Sequence, residues 1–204
     1  AGNNTGKIWN NIIYSKGATF RCSYGIRFLS ECYLSLYNNT IYNTYYGLWG
    51  WWGEMYAYNN IVQNCNDGWY SHDTSTPFDK GMNNISDTPN DAPGANSQNG
   101  VYVKFHDAAN FDFHLASDDV VARDRGADLS SDATVNSSTD IDSQARGNGF
   151  GWDIGADEAP ARIFRSVGPS KTTALGGGWT GVSLTISGTM ATFSADLTTN
   201  IGVG

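Results

Sequence analysis

The sequence has few charged residues, few prolines and few cysteines, and it lacks the patterns that helices and membrane spans require. Charged residues make up 16% of its 204 positions, beside 5 Pro and 3 Cys. No apolar run approaches the roughly 20 residues that cross a bilayer. No stretch repeats apolar residues at the 3.6-residue spacing of an amphipathic helix. These absences exclude a membrane-spanning helix from these residues and argue against a helical bundle.

The cysteines, Cys22, Cys32 and Cys65, are too few for a disulfide scaffold and lack metal-ligand spacing. Cys32 and Cys65 could pair if they lie on adjacent turns of a repeat. The alternative is buried free thiols, because unpaired Cys is among the most buried residue types.

The net charge of −8 is concentrated in the middle of the chain. Residues 1–80 are neutral, residues 81–159 carry −10, and residues 160–204 carry +2. Binding to a phosphate backbone needs clustered cations. The acidic middle therefore excludes nucleic acid as the expected partner.

Paired asparagines recur along the first 84 residues. LYNNTIYNTYYGLW matches AYNNIVQNCNDGWY 21 residues later, and IWNNIIYS and MNNISD repeat the motif at offsets of 28 and 24 residues. Asn tolerates left-handed backbone angles and can bond its own backbone, which suits a tight corner. Stacked corners about 4.8 Å apart would also let the Asn side chains form hydrogen-bond ladders. A leucine-rich or helical solenoid has a similar period, but a helical repeat needs the apolar stripe that is absent.

This pattern predicts an all-β fold, a right-handed parallel β-helix in which Ile12, Ile41 and Val62 belong to the interior. Each unit would contain a strand, an Asn-Asn corner, a second strand and a Gly turn. The open ends of such a solenoid carry unpaired backbone groups that need a cap or a neighbour. We therefore expect self-association or an adjoining domain of a larger chain.

The segment from 101 to 158 carries a more specific resemblance. DFHLAS, ARDRGADL, DIDSQAR and WDIGADE resemble the closing segment of secreted right-handed parallel β-helix repeat proteins. The resemblance spans about residues 7–158, and it departs from the family where Ser143 follows Asp142 and where Arg123 interrupts the Ala-Asp spacing. It implies the β-helix fold and an extracellular or cell-surface location.

The composition changes again after Pro160. Ser187-Gly188 separates two alternating runs, 182–186 and 189–193, which predicts a β-hairpin. We expect a β-helix with an acidic closing segment over 1–159 and a β-rich tail over 160–204. A tail of this size rarely holds its own core. It would belong to a further domain or exchange a strand with another subunit.

An aromatic cluster is the most unusual local feature. The expected surface platform, which would contact either glycan or another subunit, comprises Trp49, Trp51, Trp52, Trp69 and Tyr70. Stacked core rings are the alternative, because neighbouring residues on a strand point to opposite faces.

Signals for catalysis and metal binding are weaker. His72 and Asp73 are the candidate acid–base pair, although adjacent strand residues diverge, and a solvated loop is favoured. His106 and His114 lie in the closing segment, where we expect His114 to be a packed structural residue. No cofactor is required. A structural Ca²⁺ could be held by the acidic residues of the closing segment, namely Asp140, Asp142, Asp153 and Asp157. Aspartates that cap turns are the alternative.

The sparse charge of the coils favours an extracellular structural or adhesive protein, such as a subunit of a surface fibre. The alternatives are a carbohydrate-active enzyme, either a polysaccharide lyase or a glycoside hydrolase, and a non-catalytic glycan-binding module that uses the aromatic platform.

Overall fold

The fold is all-β with parallel sheets, as the sequence predicts. The computed structural model describes residues 4–17, 22–72, 80–132, 138–147, 151–160, 184–187 and 190–193. The only helical element in these ranges is a three-residue 3-10 turn, Ala108–Asn110. No helix among them is long and apolar enough to cross a bilayer.

Two open parallel sheets make up most of the first 100 residues. The long-strand sheet contains β1 (Asn4–Trp9), β3 (Tyr24–Tyr37), β5 (Tyr46–Tyr58), β7 (Asp67–Ser71) and β8 (Lys80–Met82). The short-strand sheet contains β2 (Ile12–Tyr14), β4 (Thr40–Tyr42), β6 (Ile61–Gln63), β9 (Ile85–Ser86) and β10 (Gln98–Asn99). The strand orders are β1-β3-β5-β7, with β8 also beside β5, and β2-β4-β6-β9-β10. This arrangement is compatible with the predicted β-helix.

The paired asparagines form the corners between the two sheets. The first residue of each pair has φ between 51° and 57°, in the left-handed region. The second residues form a ladder: Nδ2 of Asn11, Asn39 and Asn60 donates to Oδ1 of Asn39, Asn60 and Asn84 at 3.0–3.1 Å. The same oxygens accept the backbone N–H groups of Asn11, Asn39 and Asn60. The predicted Asn corner and ladder are confirmed.

The core lies between the sheets. Leu36, Ile41, Leu48, Met55 and Val62 are fully buried there. The expectation that Ile12 belongs to this interior was wrong, because Ile13 is the residue that packs against this core. Ile13 pairs with Ile41, which pairs with Val62, whereas Ile12 pairs with Thr40.

The closing segment, residues 101–159, packs along the corners. It contains the antiparallel pair β11 (Phe105–Asp107) and β12 (Asp112–Leu115). The Nδ2 groups of Asn10, Asn59 and Asn83 donate to the carbonyls of Thr139, Ala127 and Arg125. A second core cluster joins the short-strand sheet to this segment, and its buried members are Ile61, Ile85, Val103, Leu115, Ala122, Ile154 and Ala159.

The chain divides into two compact units, Ala1–Ala161 and Arg162–Gly204. The second contains an antiparallel hairpin of β13 (Leu184–Ser187) and β14 (Met190–Phe193), which confirms the predicted pairing. Ser187, which the sequence placed between the strands, belongs to β13 and pairs with Met190.

Candidate functional site

The outer surface of the long-strand sheet carries a group of aromatic and cationic side chains. Arg27, Trp49 and Tyr70 are register neighbours on β3, β5 and β7, and Tyr24 pairs with Tyr46 in a parallel row. Ile26, Leu48 and Trp69 lie between the two rows and belong to the core. We call the outward group the aromatic face, and its members are Tyr24, Arg27, Tyr46, Trp49, Trp51, Tyr70 and His72.

The rings of the aromatic face contact one another from strand to strand. Tyr24 stacks on Tyr46 at 5.6 Å between centroids, and Trp49 lies parallel to Tyr70 at 6.5 Å. Trp51 meets Trp49 edge-on at 6.4 Å and leaves 40% of its surface exposed. Rings that hold each other in place lose little freedom when a ligand binds, so this surface is preorganised.

Arg27 lies between two of these rings. Its guanidinium carbon is 4.8 Å from the centre of Tyr24 and 4.7 Å from the centre of Trp49. No salt bridge to Arg27 occurs within the residues that the structure describes. The aromatic face therefore presents a positive charge together with apolar ring surface.

The predicted platform is only partly the one observed. Trp49, Trp51 and Tyr70 share the aromatic face, but Trp69 packs in the core cluster instead; Trp49 is equally buried, at 6% exposure, but it packs among the rings of the face. The side chain of Trp52 lies outside the described part. Tyr24 and Arg27 were missed, although the Tyr24-Gly25 pair repeats at Tyr46-Gly47 and marks the same position on the preceding strand.

The proposed acid–base pair stays a prediction. His72 is exposed and contacts Trp49 and Trp51 at ring distances of 5.4 and 5.0 Å. Asp73 lies outside the described residues.

Buried carboxylates of the closing segment bind backbone amides. Asp140 accepts the N–H groups of Asp142, Gln144 and Glu158, and Asp153 accepts those of Asp124 and Ala159. Burial raises the pKa of Asp153 to about 7, despite these amide hydrogen bonds. These contacts give Asp140 and Asp153 a structural role.

The four carboxylates predicted to hold Ca²⁺ do not converge. Only Asp142 and Asp157 belong to a described group of three potential ligands, and the third member of that group is His114. Calcium binding itself stays a prediction.

His114 is not the packed residue that the sequence suggested. Its side chain is 48% exposed; Nδ1 lies 2.5 Å from Asp112 Oδ1, and Nε2 lies 2.7 Å from Asp142 Oδ2. Asp112 also contacts His106 Nδ1 at 2.8 Å. The bond to Asp112, aided by Asp142, raises the pKa of His114 to about 9. The acid–histidine cluster comprises His106, Asp112, His114, Asp142 and Asp157.

Cys22, Cys32 and Cys65 are free thiols, as one of the two sequence-based alternatives has it, and the possible Cys32–Cys65 pair is absent from this structure. Cys22 is exposed and the other two are half-buried. Burial raises the pKa of the Cys32 thiol.

Comparisons with protein-family models, curated proteins and solved structures found no match.

Proposed function

We propose that the chain is an extracellular parallel β-helix that adheres to carbohydrate through its aromatic face and performs no chemistry on it. The observation that carries the proposal is the row Arg27, Trp49 and Tyr70, which continues to the exposed Trp51. The fold part is supported by the two parallel sheets and the Asn ladder between them. The resemblance of the closing segment supports the extracellular location.

Carbohydrate fits this surface for a chemical reason. The C–H groups of a sugar ring pack against aromatic rings, while hydroxyl and carboxylate groups need polar partners at the edge. Trp51 supplies exposed ring surface, and Arg27 supplies donors in a fixed planar fork. Leu29 on β3 and Tyr45, which directly precedes β5, are 50% and 46% exposed, and both add apolar surface.

Retention on a panel of insoluble and immobilised polysaccharides tests the proposal. Trp51→Ala should lose retention on the polysaccharide that holds the unmodified protein, without a change in unfolding midpoint. Tyr102→Ala removes a ring that is 66% exposed outside the aromatic face, and it should be retained like the unmodified protein. The same incubations should release no reducing or unsaturated ends. Equal retention of the Trp51 and Tyr102 variants would contradict the proposal.

Self-association is the second candidate function, and the sheet edges favour it. In the part of the chain that the structure describes, β1 and β2 each have one strand neighbour and lie at the same end of their sheets. Unpaired strand edges are templates for pairing with another chain. Sedimentation velocity and electron microscopy across a wide concentration range should then show end-to-end oligomers. Monodisperse monomers at every concentration would exclude a filament.

A further inference from the structure

The acid–histidine cluster has the composition and spacing of a metal site. Ligand atoms of His114, Asp142 and Asp157 all lie within 4.8 Å of one another. The three residues come from different places: His114 from β12, Asp142 from a turn, and Asp157 from the end of the closing segment. From this convergence, we propose that His114, Asp142 and Asp157 bind a divalent transition-metal ion, for which Zn²⁺ is the probe.

Asp112 holds the imidazole in the orientation that metal binding needs. Its Oδ1 lies 2.5 Å from His114 Nδ1 and accepts the His114 backbone N–H at 3.2 Å. A carboxylate on one ring nitrogen fixes the proton there and leaves the other nitrogen for the metal. Nε2 is the nitrogen that faces Asp142. Metal binding would therefore displace only the Nε2 proton and preserve the contact with Asp112.

Asp157 supplies a carboxylate that is buried in the folded protein. The residue is 4% exposed, and its Oδ2 accepts the Leu115 N–H at 2.7 Å. Burial raises the pKa of Asp157, and the backbone bond from Leu115 and the neighbouring His114 lower it. A buried carboxylate needs a partner for its charge, and a cation at this position would provide one.

The balance of charge also favours a divalent cation. Three carboxylates, of Asp112, Asp142 and Asp157, surround two imidazoles. The cluster therefore contains one more carboxylate than imidazole. Imidazole together with carboxylate favours Zn²⁺ and similar ions, whereas Ca²⁺ takes oxygen ligands. Three protein ligands leave a coordination position for water, because His114 and Asp142 are exposed.

The test is a titration of chelator-treated protein with Zn²⁺ by calorimetry, followed by Co²⁺ substitution and absorption spectroscopy. A Cys22→Ser background removes the exposed thiol that would compete for the ion. We expect one ion per chain and visible bands of nitrogen–oxygen coordination. His114→Ala and Asp142→Asn should each weaken binding at least about 100-fold, and Asp112→Asn about 10- to 100-fold through the orientation of the ring.

Controls separate a metal site from an ion-pair network. His72→Ala removes an exposed histidine elsewhere, and it should leave Zn²⁺ affinity unchanged. Zn²⁺ should also raise the thermal unfolding midpoint of the parent protein but not of the His114 variant, because it binds only the folded state. Equal affinity of the parent and His114 variants would overturn the proposal. So would displacement of Zn²⁺ by an equal concentration of Ca²⁺.

Discussion

At the scale of single residues, the ladder asparagines do two things at once. Asn60 Oδ1 accepts both the backbone N–H and the side-chain amide of Asn39, while its Nδ2 donates to Asn84 and to two carbonyls. A side chain with both a donor and an acceptor on one short stem is needed to link three successive corners. Asp, Ser or Thr would satisfy only part of this set. The pattern therefore requires Asn rather than a generic polar residue.

Asn60→Ala should destabilise the fold by about 3 kcal/mol or more, because it leaves several buried donors and acceptors unsatisfied. Chemical denaturation monitored by tryptophan fluorescence measures the loss. Asn11→Ala is the matched control at the exposed end of the same ladder, and it should cost about 1 kcal/mol. Equal losses of stability at both positions would show that the buried part of the ladder contributes no more than its exposed end.

Asp153 gives a prediction about pH. Its pKa is raised from 3.8 to about 7 in the folded protein, so the folded state holds the proton more tightly than the unfolded state. The stabilisation from that proton is complete below the unfolded pKa and is lost as pH rises through the folded pKa. Between pH 4 and 7 this residue should lower the free energy of unfolding by up to about 1.4 kcal/mol per pH unit.

Asp153→Asn isolates this contribution. The unfolding free energy of the parent minus that of Asp153→Asn should fall steadily as pH rises from 4 to 7. Asp118→Asn is the control, because Asp118 is exposed and Lys104 lowers its pKa. The difference in unfolding free energy between the parent and Asp118→Asn should not change with pH above pH 5. Parallel profiles for the parent and the Asp153 variant would contradict the raised pKa.

At the scale of elements, a column of glycines sets the distance between the two sheets. Gly25, Gly47 and Gly68 follow one another across β3, β5 and β7, beside the short-strand sheet. A Cβ on Gly25 would lie 2.5 Å from Ile41 Cγ2 and equally close to the Gly47 carbonyl oxygen. A Cβ on Gly47 would overlap Val62 Cγ1. The glycines are therefore required by close approach rather than by a turn.

Gly47→Ala should cost about 1–3 kcal/mol, because the added carbon overpacks the core. Gly6→Ala is the control on β1, where the nearest atom is Leu34 Cδ1 at 3.2 Å, the flexible end of a side chain. That variant should stay within about 1 kcal/mol of the parent. Urea unfolding midpoints compare the two. A larger loss at Gly6 would show that the sheets do not approach each other as closely as the structure has them.

The glycine column also shows how much of the aromatic face could be read from the sequence. Gly47 and Gly68 align at 21 residues, so Leu48 aligns with Trp69 and Trp49 with Tyr70. Because Leu48 is apolar, this alignment already indicated that Trp69 faces inward.

The proximity of Asp142 and His114 could not be predicted in this way. Asp142 lies in a turn, 28 residues from His114. No local period connects them, and only the path of the closing segment brings them together.

At the scale of the first unit, the closing segment connects successive Asn-Asn corners. Asn10, Asn59 and Asn83 belong to three of these corners, and all three donate to carbonyls of this segment. Gly155 fits against Ile61 and Thr40, where a Cβ would lie 2.5 Å from the Ile61 side chain. Contacts of one segment with several corners should make the unfolding of these parts cooperative.

Arg146 connects this segment to the Asn10 corner, and its removal is the strongest test of that cooperativity. Its Nη2 donates to Asn10 Oδ1 and to the carbonyls of Gly155 and Ala156, and Nη1 lies 3.6 Å from the buried Glu158. Arg146→Ala leaves Glu158 buried without its cation and should cost about 3–5 kcal/mol. Lys104→Ala breaks the exposed pair with Asp118 and should cost less than about 1 kcal/mol.

Hydrogen exchange distinguishes a local loss from a cooperative one. If the closing segment holds the two sheets together, Arg146→Ala should accelerate exchange at the Asn39 and Asn60 amides as well as at residue 146 and Ile154. The Asn39 and Asn60 amides bond to ladder side chains rather than to the closing segment, so their response reports on the whole unit. Acceleration confined to residues 138–159 would mean that this part opens alone and that the two sheets are stable without it.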